Sequence, residues 1–224
     1  MHPAVKAVIP RHYEFDLYAE TPYPGGILTD WMVKTWNEGN RQLDTYPGVR
    51  LVDEDTDQKL YQEATSRRAE NIDVYASAPL ETDVEITGHP VVSLFITSTH
   101  TDGAFFVYLE DIDENGKVTY VTEGELRALH RRISSERSPT KLPVPYHTFL
   151  KKDALPLKPG EVAELRFALQ PISILIKKGH RLRVAIAGHD KDTFLRIPAE
   201  GTPVISMQRN SRSLSRIELP IIKR

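Results

Sequence analysis

The feature that most constrains how this chain folds is a two-residue repeat of apolar side chains, which begins near residue 84 and continues almost to the C-terminus. Val92, Leu94 and Ile96 share one side of this repeat, with Ser93 and Thr97 on the other. Because successive side chains of a β-strand point to opposite faces, the pattern is typical of half-buried strands. It recurs at Phe105–Leu109, Leu165–Leu169, Leu182–Ile186 and Ile217–Ile221. Many short strands with few helices predict a mainly β fold, a sandwich or a barrel.

Turn-forming residues separate these segments. Asn115-Gly116 lies between Phe105–Ile112 and Lys117–Val121, and an Asn-Gly pair between two apolar runs predicts a β-hairpin. The stretch Ser138–Gly160 contains five prolines and has no clear period. It is therefore predicted as a long surface connection of the kind that Greek-key sandwiches need.

The first third of the chain has a different pattern. Thr29–Leu43 carries apolar residues without strict alternation and predicts a helix, which Thr29 or Asp30 is suited to cap. Asp53–Asn71 is rich in Glu, Gln, Lys, Arg and Ala, with acidic residues in its first turn, and predicts a second helix. Ala4–Ile9 precedes both as a candidate buried strand.

The composition excludes several function classes. The 224 residues carry a formal net charge of −2, so no overall positive field exists to attract a nucleic-acid backbone. The chain contains no cysteine and hence neither a thiolate zinc site nor a cysteine nucleophile. No stretch approaches the ~20 apolar residues of a membrane helix, and the N-terminal apolar run is too short for a signal peptide. We therefore expect a soluble, cytoplasmic protein with no nucleic-acid or membrane partner.

Motifs for catalysis and for transition metals are absent from the sequence. The nucleophile elbow of a hydrolase needs Gly-x-Ser-x-Gly, and this pattern occurs nowhere in the chain. No two histidines have the i, i+4 spacing of a helical zinc site. His189-Asp190 resembles a base beside an acid, but sequence neighbours on a loop seldom converge in space. We interpret both as surface polar residues, and we predict no catalytic residue and no cofactor.

Basic residues cluster at Arg127–Arg132 and again at Arg209, Arg212 and Arg216. A phosphate-binding surface would also need interleaved aromatic residues, and the chain carries balancing acids elsewhere. We therefore expect these arginines to form structural ion pairs.

Asp111, Asp113 and Asn115, followed by Gly116, match the first half of a calcium-binding loop. The bidentate Glu of such a loop would stand where the chain has Thr122. Predicted strands rather than helices flank the segment, so a hairpin turn explains the same residues and no metal site is predicted.

Several segments together resemble one family. Residues 82–132 (TDVEITGHPVVSLFITSTHTDGAFFVYLEDIDENGKVTYVTEGELRALHRR) look like the first half of the C-terminal β-domain of the CocE/NonD hydrolases. Residues 177–190 (KKGHRLRVAIAGHD) and 215–224 (SRIELPIIKR) fit the same domain. This group is related to cocaine esterase, α-amino-acid ester hydrolases and X-Pro dipeptidyl-peptidases. The resemblance implies a jelly-roll β-sandwich similar to galactose-binding modules, in agreement with the strand pattern.

The N-terminal part resembles other pieces of the same enzymes. Residues 2–31 are similar to the strand and loop that follow the nucleophile elbow, and residues 36–44 and 52–60 are similar to the helical cap. The elbow itself would lie upstream of Met1, and the segments with the catalytic acid and histidine would fall between Tyr75 and Pro79. We therefore predict an α/β-hydrolase and cap remnant over residues 1–78 and a jelly-roll domain over residues 79–224.

The resemblance implies that the chain is part of a serine hydrolase acting on ester or amide bonds, although it lacks the nucleophile, acid and base. Whether these 224 residues are themselves an enzyme is left open. The family places a substrate-pocket loop at Thr99, His100, Thr101 and Asp102, with Phe105 beside it. The implied partners are a small ester or amide substrate of the full-length parent and its catalytic domain. A second copy of the chain is a further expected partner, because the sheet edge and the helical remnant would expose apolar surface without that domain.

A free-standing β-sandwich that binds carbohydrate or another small ligand is the alternative. Such modules stack sugars on exposed aromatic side chains. Phe105, Phe106 and Phe167 are the aromatic candidates, but they occupy alternating strand positions that a core would also use.

Overall fold

The structure, a computed structural model, describes residues 23–30, 34, 73–136, 138–139, 141–190 and 193–223. Over these residues the strands are β1 (Asp73–Ala76), β2 (Val84–Gly88), β3 (Val91–Ser98), β4 (Ala104–Ile112), β5 (Val118–Arg127), β6 (Ala163–Ala168), β7 (Ile172–Ile176), β8 (Arg181–Ala187), β9 (Ile205–Met207), β10 (Arg209–Asn210), β11 (Ser213–Leu214) and β12 (Arg216–Glu218). Single turns of 3₁₀ helix lie at Pro24–Gly26, Ala128–His130 and Lys151–Asp153.

The first sheet is antiparallel, with the strand order β1-β8-β4-β5. Within it, β4 has a partner on each side: Val107 lies opposite Ile186 of β8 and opposite Gly124 of β5. The β4–β5 connection is a tight hairpin over Asn115-Gly116, and Gly116 has the positive φ of 82° that glycine adopts without strain. The hairpin predicted from the sequence is thus confirmed.

The second sheet is centred on β3, with β6 along one edge and β12 and β9 sharing the other. The β2–β7 pair continues the β3–β6 pair past a bend, since Ile86 lies opposite Ile174 and, further on, Val92 lies opposite Phe167. Pro90 falls at this bend, outside both strands, where its missing N–H costs no ladder hydrogen bond.

The main core lies between the two sheets and is formed by the alternating apolar residues. Val92, Leu94 and Ile96 of β3 and Phe105 and Val107 of β4 are all between 0% and 3% exposed. Each such side chain contributes roughly 1.5–3 kcal/mol when it leaves water. The mainly β sandwich expected from the sequence is confirmed.

A hairpin over Ile205–Glu218, called the edge hairpin below, closes one border of the second sheet. Its β9 pairs with the end of β3 and its β12 with the beginning. Between them, the Gln208 N–H donates to the carbonyl oxygen of Phe95 at 2.7 Å, and the Phe95 N–H donates to Ser215 Oγ at 2.9 Å. These bonds fix the position of the edge hairpin's tip, formed by β10 and β11, relative to β3.

The Ser138–Gly160 connection contains, among its described residues, a single 3₁₀ turn and no strand. It is not confined to the surface, as the sequence had indicated, because His147 and Leu157 are only 6% and 3% exposed. The connection is anchored to neighbouring loops, for example by the Leu157 N–H, which donates to Thr101 O at 2.7 Å.

Several predictions for the N-terminal third fall outside the described residues: the strand Ala4–Ile9, the helix Asp53–Asn71 and most of Thr29–Leu43. Asp30 and Lys34 are described, and they form a helical i, i+4 ion pair at 2.6 Å. The division at residue 78 stays a prediction, with β1 already paired to β8 before that point. No helix in the described part of the chain is long and apolar enough to cross a membrane.

Candidate functional site

The predicted pocket loop, Thr99–Asp102, connects β3 to β4 at one end of the sandwich. Two hydrogen bonds join the first residue of this loop to Val204, just before β9. The Thr99 N–H donates to Val204 O at 3.1 Å, and the Val204 N–H donates back to Thr99 Oγ1 at 3.0 Å. The Thr99 hydroxyl also lies 2.9 Å from His100 Nδ1. Thr101 is exposed, so its side chain is available to a neighbouring molecule or domain.

Asp102 is the best-anchored residue of this loop. Its carboxylate accepts hydrogen bonds from Arg127 Nε at 2.7 Å, from the Leu129 N–H at 3.1 Å and from the Gly103 N–H at 2.9 Å. The carboxylate is 17% exposed and the Arg127 side chain 34% exposed, so water screens the pair only in part. Asp102 therefore ties the loop to the end of β5.

Phe105 is the second residue of β4 and belongs to the main core, where it is 1% exposed. Its ring packs among the residues between the two sheets. The structure thus brings Thr99 to Asp102 together in one loop and places Phe105 in the interior behind it. That this loop borders a substrate pocket stays a prediction.

The opposite face of β4 is also buried, which the sequence reasoning missed. Phe106 and Tyr108 are 2% and 3% exposed. They form a second apolar cluster on the outer face of the first sheet. The members of this outer face are Ala104, Phe106, Tyr108, Ala185 and Ala187.

The segment 23–30 covers the outer face. Ile27 inserts into the second cluster and is completely buried. Gly25, at φ 60°, lies so close to β5 that a Cβ there would collide with the carbonyl oxygen of Glu125. Beside it, the Leu195 N–H donates to Leu28 O at 2.9 Å. An antiparallel sheet usually leaves one face to solvent, whereas β4 and β8, in the middle of this sheet, carry buried apolar residues on both faces.

Asp190 belongs to this outer face and corrects an interpretation made from the sequence. The residue is 8% exposed, and its carboxylate accepts a hydrogen bond from Tyr108 Oη at 3.0 Å. The reading of Asp190 as a surface polar residue was therefore wrong. Phe194 follows on the same side and packs against Phe106 with its ring tilted by 47°, at 4.9 Å between ring centroids.

A cavity of about 270 Å³ lies between β5, the end of β6 and the 138–149 connection, next to Pro24 and Gly25. The buried His147 contributes to its wall. Both ring nitrogens of His147 lie 3.0 Å from carbonyl oxygens, those of Arg132 and Arg166. A neutral imidazole has one N–H and can donate to only one of them.

Burial is the largest influence on the pKa of this histidine. Loss of hydration lowers the pKa of His147, against the opposing effect of the surrounding carbonyl oxygens. Burial, and then the positive charge of Arg127, also lower the pKa of the neighbouring His130. The Phe149 ring lies near both histidines, with 5.4 Å between the His130 and Phe149 centroids and 6.1 Å between those of His147 and Phe149.

The segment that resembles half of a calcium loop forms the hairpin turn. Asp113 Oδ1 accepts the N–H groups of Asn115 at 2.9 Å and Lys117 at 2.8 Å. These bonds, above all the one from Lys117, lower the pKa of Asp113. Asp111 instead contacts His180, whose Nδ1 lies 2.9 Å from its Oδ1. Among the described residues, no three His, Cys, Asp or Glu side chains are grouped to hold a metal ion.

The expected ion pairs of the basic clusters form only in part. Arg127 pairs with Asp102, and Arg216 pairs with Glu218 at 3.1 Å. Arg209 instead lies over the Tyr75 ring, 5.6 Å from its centroid.

The fold and these contacts define a β-sandwich domain with an apolar outer face that residues 23–30 cover in part. Residues 18–212 match the family described as the X-Pro dipeptidyl-peptidase C-terminal non-catalytic domain. The chain belongs to this family, which confirms the relationship to the CocE/NonD hydrolases that the sequence indicated.

Two curated relatives are candidate serine esterases by name, one from Mycobacterium bovis and one from Mycobacterium tuberculosis. Each is 53% identical to the chain over 149 residues, which is 66% of this chain and 24% of the relative. The chain thus spans about a quarter of the length of these relatives.

Solved structures with the same fold include an aminopeptidase from a marine sediment Thaumarchaeota archaeon, with a TM-score of 0.58 and 20% identity over 70% of this chain and 27% of that one. A CocE/NonD family hydrolase from Staphylococcus aureus has a TM-score of 0.54 and 19% identity, over 68% of this chain and 33% of that one. An α-amino acid ester hydrolase has a TM-score of 0.57 and 18% identity, over 69% and 26%.

Proposed function

We propose that this chain supplies the non-catalytic β-sandwich of a serine hydrolase that acts on ester or amide bonds. The observation that carries the proposal is the burial of Ile27, at 0% exposure, against the outer face of the first sheet. Residues 2–31 are the part of the chain that resembles the region after the nucleophile elbow of these enzymes. The sandwich therefore has a surface suited to hold a catalytic α/β-hydrolase domain.

The role of such a domain is positioning. When the sandwich packs along one side of the catalytic domain, the end of the sandwich that carries Thr99–Asp102 is held at a fixed position relative to that domain. In this position the loop closes part of the acyl pocket. Ester or amide cleavage itself requires a nucleophile and a base in contact. The sequence lacks Gly-x-Ser-x-Gly, so we assign the reacting groups to the catalytic domain of the parent enzyme.

The burial of the aromatic side chains favours this role over a free-standing carbohydrate module. Phe105, Phe106 and Phe167 are 1%, 2% and 3% exposed. None of these three rings is available to stack on a sugar.

A chimeric enzyme tests the proposal. In the chimera, the matching section of this chain replaces the 149-residue section of the Mycobacterium bovis relative. The chimera is expected to hydrolyse p-nitrophenyl acetate, with inhibition by a serine-directed phosphonate, whereas the purified 224-residue chain shows no inhibitable turnover. Phosphonate-sensitive turnover by the chain alone, or a folded chimera without turnover, would contradict the proposal.

The outer face is tested in the same chimera. Phe106→Asp places a charge in the buried cluster and is expected to abolish turnover by detaching the domain. Val118→Asp is the matched control, because Val118 is 37% exposed near the tip of the β4–β5 hairpin. An equal loss of turnover in both variants would show that the outer face does not hold the catalytic domain.

The pocket loop is probed at Thr101, whose side chain is exposed. Thr101→Ala in the chimera is expected to change the ratio of kcat/KM values for p-nitrophenyl acetate and butyrate. Thr119→Ala, on an exposed residue at the other end of the sandwich, is the control. An unchanged ratio in Thr101→Ala would refute the assignment of this loop to the acyl pocket.

We also propose a cytoplasmic location for the parent enzyme, as expected from the sequence. Activity in the soluble fraction of gently lysed cells supports this location, and activity released with the periplasm or the medium contradicts it.

A further inference from the structure

A second cavity, of about 220 Å³, opens between the two sheets where β1 borders one sheet and the edge hairpin borders the other. It is called the inter-sheet cleft below. Aliphatic side chains from β3, β8 and the edge hairpin form its wall: Val92, Leu94, Val184, Ile186, Met207 and Ile217. A cavity with such a wall offers water few hydrogen-bond partners and favours an apolar occupant.

The mouth of the inter-sheet cleft is cationic. Arg209 and Arg216 line it and are both exposed, and Tyr75 lies beside them. Arg216 is already engaged, because its Nε and Nη2 lie 3.2 and 3.1 Å from Glu218 Oε1. Arg209 rests on the face of Tyr75 and, within the described residues, has no carboxylate partner. Its guanidinium is therefore free to receive an anion.

We propose that the inter-sheet cleft binds a small monocarboxylate with an apolar tail. The tail enters between the sheets, and the carboxylate pairs with the Arg209 guanidinium, whose planar fork matches two carboxylate oxygens. At ~30 Å³ for each water-sized group, the cleft of about 220 Å³ holds roughly seven non-hydrogen atoms, with the carboxylate at its mouth. Hexanoate and benzoate are of this size. The site is separate from the outer face and does not depend on the proposed function.

Titration of the full chain with sodium hexanoate tests the site. Binding is measured by calorimetry and by NMR of the methyl groups that line the cleft. A Kd on the order of 1 mM is the range expected for a ligand of this size. Hexanamide, which keeps the tail and removes the charge, is expected to bind roughly tenfold more weakly.

Variants at the mouth separate the charge from the tail. Arg209→Gln is expected to weaken hexanoate binding roughly tenfold, and Arg209→Lys by less, because it keeps the positive charge. Arg212→Gln is the matched control: Arg212 lies on the same hairpin, is exposed and does not line the cleft. Equal affinity in Arg209→Gln and Arg212→Gln would overturn the assignment of the carboxylate to Arg209.

A larger side chain in the wall tests the location of the tail. Ile217→Phe fills part of the cleft and is expected to reduce hexanoate affinity at least tenfold, in a protein whose thermal unfolding shows that it is folded. Chemical-shift changes confined to residues outside the cleft, or no hexanoate binding up to 50 times the expected Kd of ~1 mM, would overturn the proposal.

Discussion

Asp102 shows how one carboxylate can organise the end of a β-sandwich. It receives a guanidinium N–H and two backbone N–H groups, which come from the loop itself, from the end of β5 and from the 3₁₀ turn that follows. Hydrogen bonds to an ionised group are stronger than those between neutral groups. The loop therefore has a fixed shape before any ligand or domain approaches it.

Asp102→Ala removes three acceptor contacts at once and leaves Arg127 without its partner. We expect the free energy of unfolding to fall by about 1–3 kcal/mol, measured by urea denaturation. Glu136→Ala is the control, because its ion pair with Lys152 is long, at 3.9 Å, and its side chain is 70% exposed. Equal stability of the two variants would show that Asp102 does not anchor the loop.

His147 and His130 give the stability of the fold a defined pH dependence. Their pKa values are lowered in the folded state by burial, so the unfolded chain binds more protons than the folded chain below about pH 6.5. Stability is thus full above the unfolded pKa and is lost as the pH falls toward the lowered folded values. The free energy of unfolding is expected to decrease between pH 7 and pH 5.

The comparison that isolates these groups is the double variant His130→Gln/His147→Gln. The double variant is expected to lose less stability between pH 7 and pH 5 than the parent chain, because it removes the two histidines whose pKa values burial lowers. Urea denaturation at both pH values measures the effect. If the double variant loses as much stability as the parent chain on acidification, the lowered pKa values of these two histidines are not the source of the pH dependence.

At the scale of elements, β4 explains why one face was predictable and the other was not. Phe105, Val107 and Leu109 follow the two-residue period that places them in the main core. Phe106 and Tyr108 are buried by residues far away in the sequence, Ile27 and Phe194, which no local pattern identifies. The one available signal was the uninterrupted run AFFVYL, which is typical of a strand buried on both faces.

The same limit applies to the candidate site. The family resemblance suggested the Thr99–Asp102 loop as a pocket loop, which stays a prediction, but it gave no sign of the loop's anchor, because Arg127 is 25 residues from Asp102 in the sequence. Asp190 was misread for a related reason, since its partner Tyr108 is 82 residues away. A buried polar residue is recognisable only once its hydrogen-bond partner is known.

Ile27 tests whether the 23–30 segment is an integral element of the fold. Ile27→Ala leaves a cavity in the cluster on the outer face and is expected to lower the free energy of unfolding by about 2–5 kcal/mol, measured by urea denaturation. Leu28→Ala, at a partly exposed neighbour, is expected to lower it by less. The opposite order, or no effect of Ile27→Ala, would mean that the segment does not dock on the sandwich in solution.

At the scale of the whole molecule, the outer border of the first sheet bears on assembly. Within the described residues β1 pairs only with β8, so its other edge presents backbone N–H and C=O groups. Val74, in the middle of β1, is 48% exposed. An apolar edge strand is a template for pairing with another chain. The homo-oligomer expected from the sequence is thus proposed to form through β1.

Val74→Lys places a charge on this edge and is expected to shift the chain from a concentration-dependent dimer toward monomer, because a lysine must be desolvated when two edges pair. Light scattering coupled to size exclusion, over a hundredfold range of protein concentration, measures the shift. Val118→Lys, on a 37% exposed residue of β5, is the control for a general effect of charge on solubility. A parent chain that stays monomeric over this range, or a dimer that persists in Val74→Lys, would show that β1 is not the contact between copies.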